Sequence, residues 1–160
     1  MLNKTVIAVL LFIVLLVVAG YSRADDGLRV GVGKALFNSH MTAAEVGYEY
    51  NNWEASATIF GEGDTKRGEQ NFTPFYSLSY LTRPENFNAS WAQPFLRLGV
   101  SYNDGSPLVG STNFRLGIGA DFSDVWRIEY IHYSSAGIHS PNTGVDAVLV
   151  SYLMPYPWSK

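Results

Sequence analysis

The sequence predicts an all-β fold, an eight-stranded antiparallel transmembrane β-barrel of the outer-membrane type. Three observations carry this: a secretion signal at the amino terminus, eight stretches of alternating polar and apolar residues, and no later apolar run long enough for a spanning helix. Composition agrees. Gly at 15, Tyr at 10 and Phe at 9, against 16% charged residues, are poor in helix formers and suit strands.

The amino terminus sets the compartment. Lys4 supplies a positive start, residues 6–19 are unbroken apolar chain, and Ser22-Arg23-Ala24 places small residues where a signal peptidase reads. The apolar run is shorter than the ~20 residues of a spanning helix, so residues 1–24 read as a removed signal peptide and 25–160 as one barrel domain. The chain has no Cys, which excludes a lipid-modified terminus and any disulfide. Removal of 24 residues takes away Lys4 and Arg23, leaving 136 residues with 9 basic and 14 acidic groups, a net charge of −5. That balance argues against a nucleic-acid partner.

Alternation places strands near residues 27–37, 42–50, 53–61, 71–81, 92–102, 112–121, 124–134 and 143–154. Asn51-Asn52 and Phe122-Ser123 read as tight turns, whereas residues 62–70, 103–111 and 135–142 carry the Gly, Asn, Asp, Ser and Pro of longer loops. An even strand count returns the chain to the side where it began, which puts those longer loops outside the cell. Residues 82–91 break the pattern as a long periplasmic connection.

Each strand has two chemically different faces. Arg29, Gly31, Gly33 and Ala35 oppose Leu28, Val30, Val32 and Leu36, with Lys34 the one charge on the apolar side. Glu45, Gly47 and Glu49 oppose Val46, Tyr48 and Tyr50; Arg97 and Gly99 oppose Leu98 and Val100; Arg115, Gly117, Gly119 and Asp121 oppose Leu116 and Ile118. Periodicity alone does not say which face is inside. Gly interleaved with Arg and Glu suits the narrow interior of an eight-stranded barrel, and Tyr and Trp near strand ends suit an interfacial girdle, so the apolar faces are expected to meet lipid.

The seventh strand breaks this rule. Arg127 and Glu129 belong to the interior face, yet the opposite face runs Trp126, Ile128, Tyr130, His132, Ser134. In the eighth strand Asp146 shares its face with Val148, Val150 and Tyr152, and hairpin pairing sets it beside His132. Acid, imidazole and hydroxyl on one face are the parts of a nucleophilic triad, and polar groups facing lipid call for a function or a partner. The plainer reading is that they sit among headgroups, where such residues are ordinary.

The run His132-Tyr133-Ser134-Ser135-Ala136-Gly137-Ile138, then Pro141-Asn142, Gly144 and an acid at 146, resembles the signature of the lipid A 3-O-deacylases, the PagL family. The resemblance implies an eight-stranded outer-membrane barrel that hydrolyses the ester-linked acyl chain at position 3 of lipid A. It implies Ser134 as nucleophile, His132 as base and Asp146 in the acid position, with Asn142 and Gly137 near the oxyanion or substrate. Lipopolysaccharide in the outer leaflet is the implied partner, and no cofactor or metal is implied. Two positions depart from the pattern: Asp146 stands where the family has Glu, and Ser135 where Asn is common.

Lys66-Arg67, with Lys34, are candidates for pairing with lipid A phosphates, although exposed basic residues are more often simply solvated. His139 and His40 read as solvated loop residues. The competing function is a noncatalytic small barrel serving adhesion or envelope integrity. Which acyl chain is released, and whether the barrel forms a homodimer, the sequence leaves open.

Overall fold

A computed structural model describes residues 26–84, 91–123, 125–140 and 142–155. The signal peptide read over residues 1–24 and the carboxyl end from residue 156 lie outside the described residues. Ten strands follow one another: β1 (Gly27–Leu36), β2 (Thr42–Tyr50), β3 (Trp53–Phe60), β4 (Gly63–Thr65), β5 (Gly68–Gln70), β6 (Thr73–Thr82), β7 (Ala92–Asn103), β8 (Thr112–Phe122), β9 (Trp126–Ser134) and β10 (Val145–Pro155). Eight of them close a barrel in the order β1-β10-β9-β8-β7-β6-β3-β2, antiparallel throughout, while β4 and β5 form a separate hairpin. Closure by β1 against β10, from Gly27↔Pro155 to Leu36↔Asp146, leaves the barrel itself no free edge.

Strand positions follow the alternation, except that three begin two residues later than expected, the fourth barrel strand at Thr73 among them. The seventh barrel strand begins at Trp126, two residues later than expected, because Ser123 adopts φ 51 and Val125 N–H closes a turn on the Phe122 carbonyl. The eighth begins at Val145 because Gly144 takes φ 84, outside strand conformation, and Thr143 N–H bonds the Leu108 carbonyl instead of a ladder partner. Asn51 and Asn52, with φ 49 and 68, make the tight β2–β3 turn that their pairing predicts.

The faces point as expected. Val32, Leu98, Val100 and Ile118 are each more than half exposed on the outer surface, which is the lipid-facing side of such a barrel. Aromatic pairs mark its periplasmic end: Trp53 with Tyr80 at 5.3 Å between ring centroids, Trp126 with Tyr152 at 5.0 Å, and Trp91 with Phe122 at 5.9 Å. Tyr and Trp hold this level because an amphipathic ring is best placed between hydrocarbon and water.

The interior is divided. Its periplasmic half holds five arginines, Arg29, Arg83, Arg97, Arg115 and Arg127, paired with five carboxylates, Glu45, Glu49, Glu54, Asp121 and Glu129. Gly117 leaves the room they need, since a Cβ there would stand 2.1 Å from Glu129 Oε1 and 3.1 Å from the Arg97 Cβ. The outer half holds an apolar plug: Phe60, Phe75 and Tyr133 pack edge to face or tilted, with centroids 4.6–6.1 Å apart, and Met41, Leu108 and Val109 complete it. Its base is the Tyr133 hydroxyl, 2.9 Å from Thr58 Oγ1, which in turn donates to Glu45.

A test of facing uses Val148, which pairs with Lys34 on one side and Tyr130 on the other. Val148→Arg is expected to impair assembly by about 2–4 kcal/mol, the range for a cation near the membrane midplane. Ser77→Ala, inside the barrel, is expected to change little. Heat-modifiable gel migration reads both, and equal assembly of Val148→Arg and the parent would reverse the faces.

Candidate active site

Strands β9 and β10 bring the site together by register alone. Asp146 lies directly opposite His132, and both project outward because their neighbours Ile131, Tyr133, Val145 and Ala147 are fully buried within. His132 Nδ1 stands 2.8 Å from Asp146 Oδ1. A carboxylate only accepts hydrogen bonds, so Nδ1 carries a proton, and in its uncharged form the ring presents the Nε2 lone pair. The imidazole is one-third exposed and the acid nearly buried, a base that can be reached beside an anchor that cannot.

Ser134 is the last residue of β9 and shares the outer face with His132 two residues before it. Its hydroxyl donates to Asn142 Oδ1 at 3.1 Å and receives the Ala136 N–H at 3.2 Å. Asn142 Oδ1 also accepts the Ser135 N–H at 2.8 Å. With its oxygen taken twice, the Asn142 amide keeps Nδ2 as a donor for an incoming group. Four of the five residues singled out from sequence therefore meet in two separate pairs, His132 with Asp146 and Ser134 with Asn142, and no hydrogen bond joins His132 to Ser134. Gly137 stands apart from them in the exposed turn that follows, at φ 80, where a side chain would point into open space.

Loops hold the second pair against the barrel. Ser135 is wholly buried, receives the Gly110 N–H at 2.9 Å and donates to Asn113 Oδ1 at 2.9 Å. Asn38 Nδ2 donates to the carbonyls of Thr143 and Gly144 at 2.9 and 3.3 Å. Gly144 itself passes under the imidazole, where a Cβ would come within 2.8 Å of His132 Cε1. Only glycine suits that place, by contact and by its positive φ. Of the basic candidates, Arg67 lies on the β4–β5 hairpin and donates from Nε to Thr143 Oγ1 at 2.5 Å, whereas Lys34 stands exposed on the outer face of β1.

Height above the girdle places the site in the membrane. His132 is six residues beyond Trp126, about 20 Å along the strand and about 15 Å of depth at a tilt of ~40°. Ser134 comes out at about 20 Å, near the outer limit of an apolar band about 25 Å tall.

A family model for lipid A 3-O-deacylase (PagL) matches residues 37–155, which is most of the barrel and all of the site. The chain belongs to the lipid A 3-O-deacylase (PagL) family. It is thereby assigned to the lipid A deacylases of the bacterial outer membrane. No curated protein matches the sequence significantly. Among solved structures, the crystal structure of the outer membrane enzyme PagL superposes with a TM-score of 0.54 at 21% identity, covering 81% of this chain and 99% of the other. At that identity the likeness shows a shared fold, and the PagL assignment rests on the family match.

One polar contact in the site had no sequence signal. Tyr130 reads as one more lipid-facing aromatic, but its hydroxyl donates to Asp146 Oδ1, the same oxygen that meets His132.

Proposed function

We propose that the chain hydrolyses the 3-O-linked acyl ester of lipid A with Ser134 as nucleophile, His132 as general base and Asp146 as the acid that orients it. The observation that carries this reading is the Nδ1–Oδ1 contact of 2.8 Å between His132 and Asp146, made on the lipid-facing surface one step below a serine hydroxyl. Such a pair at that depth is costly without a use. In the family's substrate the ester joins the acyl chain to the sugar, so it lies at the boundary of headgroup and hydrocarbon. Ser134 sits at that level.

The chemistry follows from the groups present. Rotation of Ser134 about χ1 exchanges its Asn142 partner for His132 Nε2, which takes the hydroxyl proton as Oγ attacks the ester carbonyl. The tetrahedral oxyanion is met by Asn142 Nδ2, a donor whose amide is already fixed through its oxygen. His132 then delivers the proton to the departing sugar oxygen, leaving an acyl-Ser134 ester. Water, deprotonated by the same imidazole, releases the fatty acid and regenerates the hydroxyl. Asp146 stays ionised throughout and stabilises the imidazolium.

Substrate reaches the site by lateral diffusion, since both plug and charge network close the lumen and the triad faces the bilayer. Residues 1–24 fit this reading as the export signal. The test is mass spectrometry of lipid A from bacteria expressing the chain. Loss of one hydroxyacyl chain is expected, whereas an unchanged profile with well-assembled protein would leave the noncatalytic barrel as the better account.

A further inference from the structure

We propose that Tyr130 is a positioning residue of this site, holding the carboxylate of Asp146 in the rotation that His132 requires. The inference rests on the triad reading above and adds to it a residue below the triad on the same strand. Tyr130 lies opposite Val148, so Asp146 is its diagonal neighbour on β10, about 7–8 Å away in backbone terms and within reach of an aromatic side chain. Its hydroxyl donates to Asp146 Oδ1, and His132 Nδ1 donates to the same atom from the other side.

Two donors on one oxygen fix the carboxylate where one would leave it free to turn. That matters more for aspartate than for glutamate at this place. A side chain one methylene shorter has about 1.5 Å less reach, so small rotations of the carboxyl group carry Oδ1 out of bonding distance from the imidazole. By register Tyr130 stands one diagonal step toward the membrane interior from Asp146, and His132 directly opposite it. The hydroxyl also pairs a carboxylate on the lipid-facing surface, where an unpaired charge is costly. Asp146 is 7% exposed although it sits on the outer face, between His132 of β9 and Leu36 of β1 in the ladder. The hydroxyl acts through Asp146 and touches no reacting atom.

Tyr130→Phe keeps the ring and removes the donor. The measurement is steady-state deacylation of lipid A by refolded variants in mixed detergent micelles. Expected is a fall in kcat of about 10- to 100-fold, the scale of one hydrogen bond to a charged group, with KM within about twofold. In an Asp146→Asn background the same substitution is expected to add no further loss, because the residue acts only through that acid. A turnover-independent reading uses Ser134→Ala protein, where the His132 Nδ1–H proton resonance should move when Tyr130→Phe is added. Unchanged kcat, a rise in KM alone, an equal loss in the Asp146→Asn background, or an unmoved resonance would each overturn the positioning role. Retained deacylation in Ser134→Ala would count against the triad and leave the resonance test of Tyr130 intact.

Discussion

Ser134→Ala is expected to abolish lipid A deacylation in a fully folded barrel, and Asp146→Asn to lower it by about four orders of magnitude, as loss of the acid does in other triads. The two effects have different causes. In the proposed mechanism Ser134 supplies the atom that forms the acyl-enzyme, which an alanine methyl cannot. On the same proposal Asp146 supplies a tautomer: while Oδ1 accepts from Nδ1 at 2.8 Å, the proton is kept away from Nε2. An asparagine can turn its amide nitrogen toward the ring, which moves the imidazole proton to Nε2 and leaves no lone pair for the serine proton. Asp146→Glu restores the acid usual in the family and is expected to retain or raise activity. Purified variants refolded into mixed micelles, with product release normalised to folded protein, give the comparison. Full activity in Ser134→Ala would sink the esterase reading, and full activity in Asp146→Asn would remove the acid from the mechanism.

What could be read from sequence was what repeats. A period of two runs through every barrel strand, so a charged or aromatic residue has its face assigned by its neighbours, and His132 and Asp146 stand out because they break the rule. Hairpin adjacency then sufficed to set them opposite each other. The β4–β5 hairpin had no such signal, because strands of three residues contain too little alternation to count. The apolar plug was hidden for a related reason. Phe60 and Phe75 share their inward faces with Thr58 and Ser77, and only the height along the strand separates a polar lumen from an aromatic one. Tyr130 escaped notice because an aromatic ring among lipid-facing residues leaves the apolar alternation unbroken. Its hydrogen bond depends on a diagonal contact that spacing does not encode.

Glu54→Ala is expected to destabilise the barrel by about 3–5 kcal/mol, the cost of removing one partner from a buried ion pair. Glu54 is shared by two fully buried arginines: Arg97 reaches it with NH1 at 2.7 Å and NH2 at 3.2 Å, and Arg127 with NH1 at 3.0 Å. Five guanidinium groups balance five carboxylates in this lumen, and their attraction offsets the desolvation of both. Without Glu54 the balance becomes five to four, in a space sealed above by Phe60, Phe75 and Tyr133. Water reaches it poorly. Glu129 still holds Arg97, and Glu49 and Asp121 still hold Arg127, so the barrel is expected to fold with lowered stability rather than fail outright. Arg83→Ala makes the control. Arg83 lies at the periplasmic mouth, its side chain more open to solvent than those of Arg97 and Arg127, where water can replace what the guanidinium gave to Glu49 and Asp121. Urea titration of refolded protein, followed by tryptophan fluorescence, should show Glu54→Ala unfolding at markedly lower denaturant than Arg83→Ala. Equal midpoints for the two would mean that the network is wet, and that its charges do not stabilise the wall on which His132 and Ser134 stand.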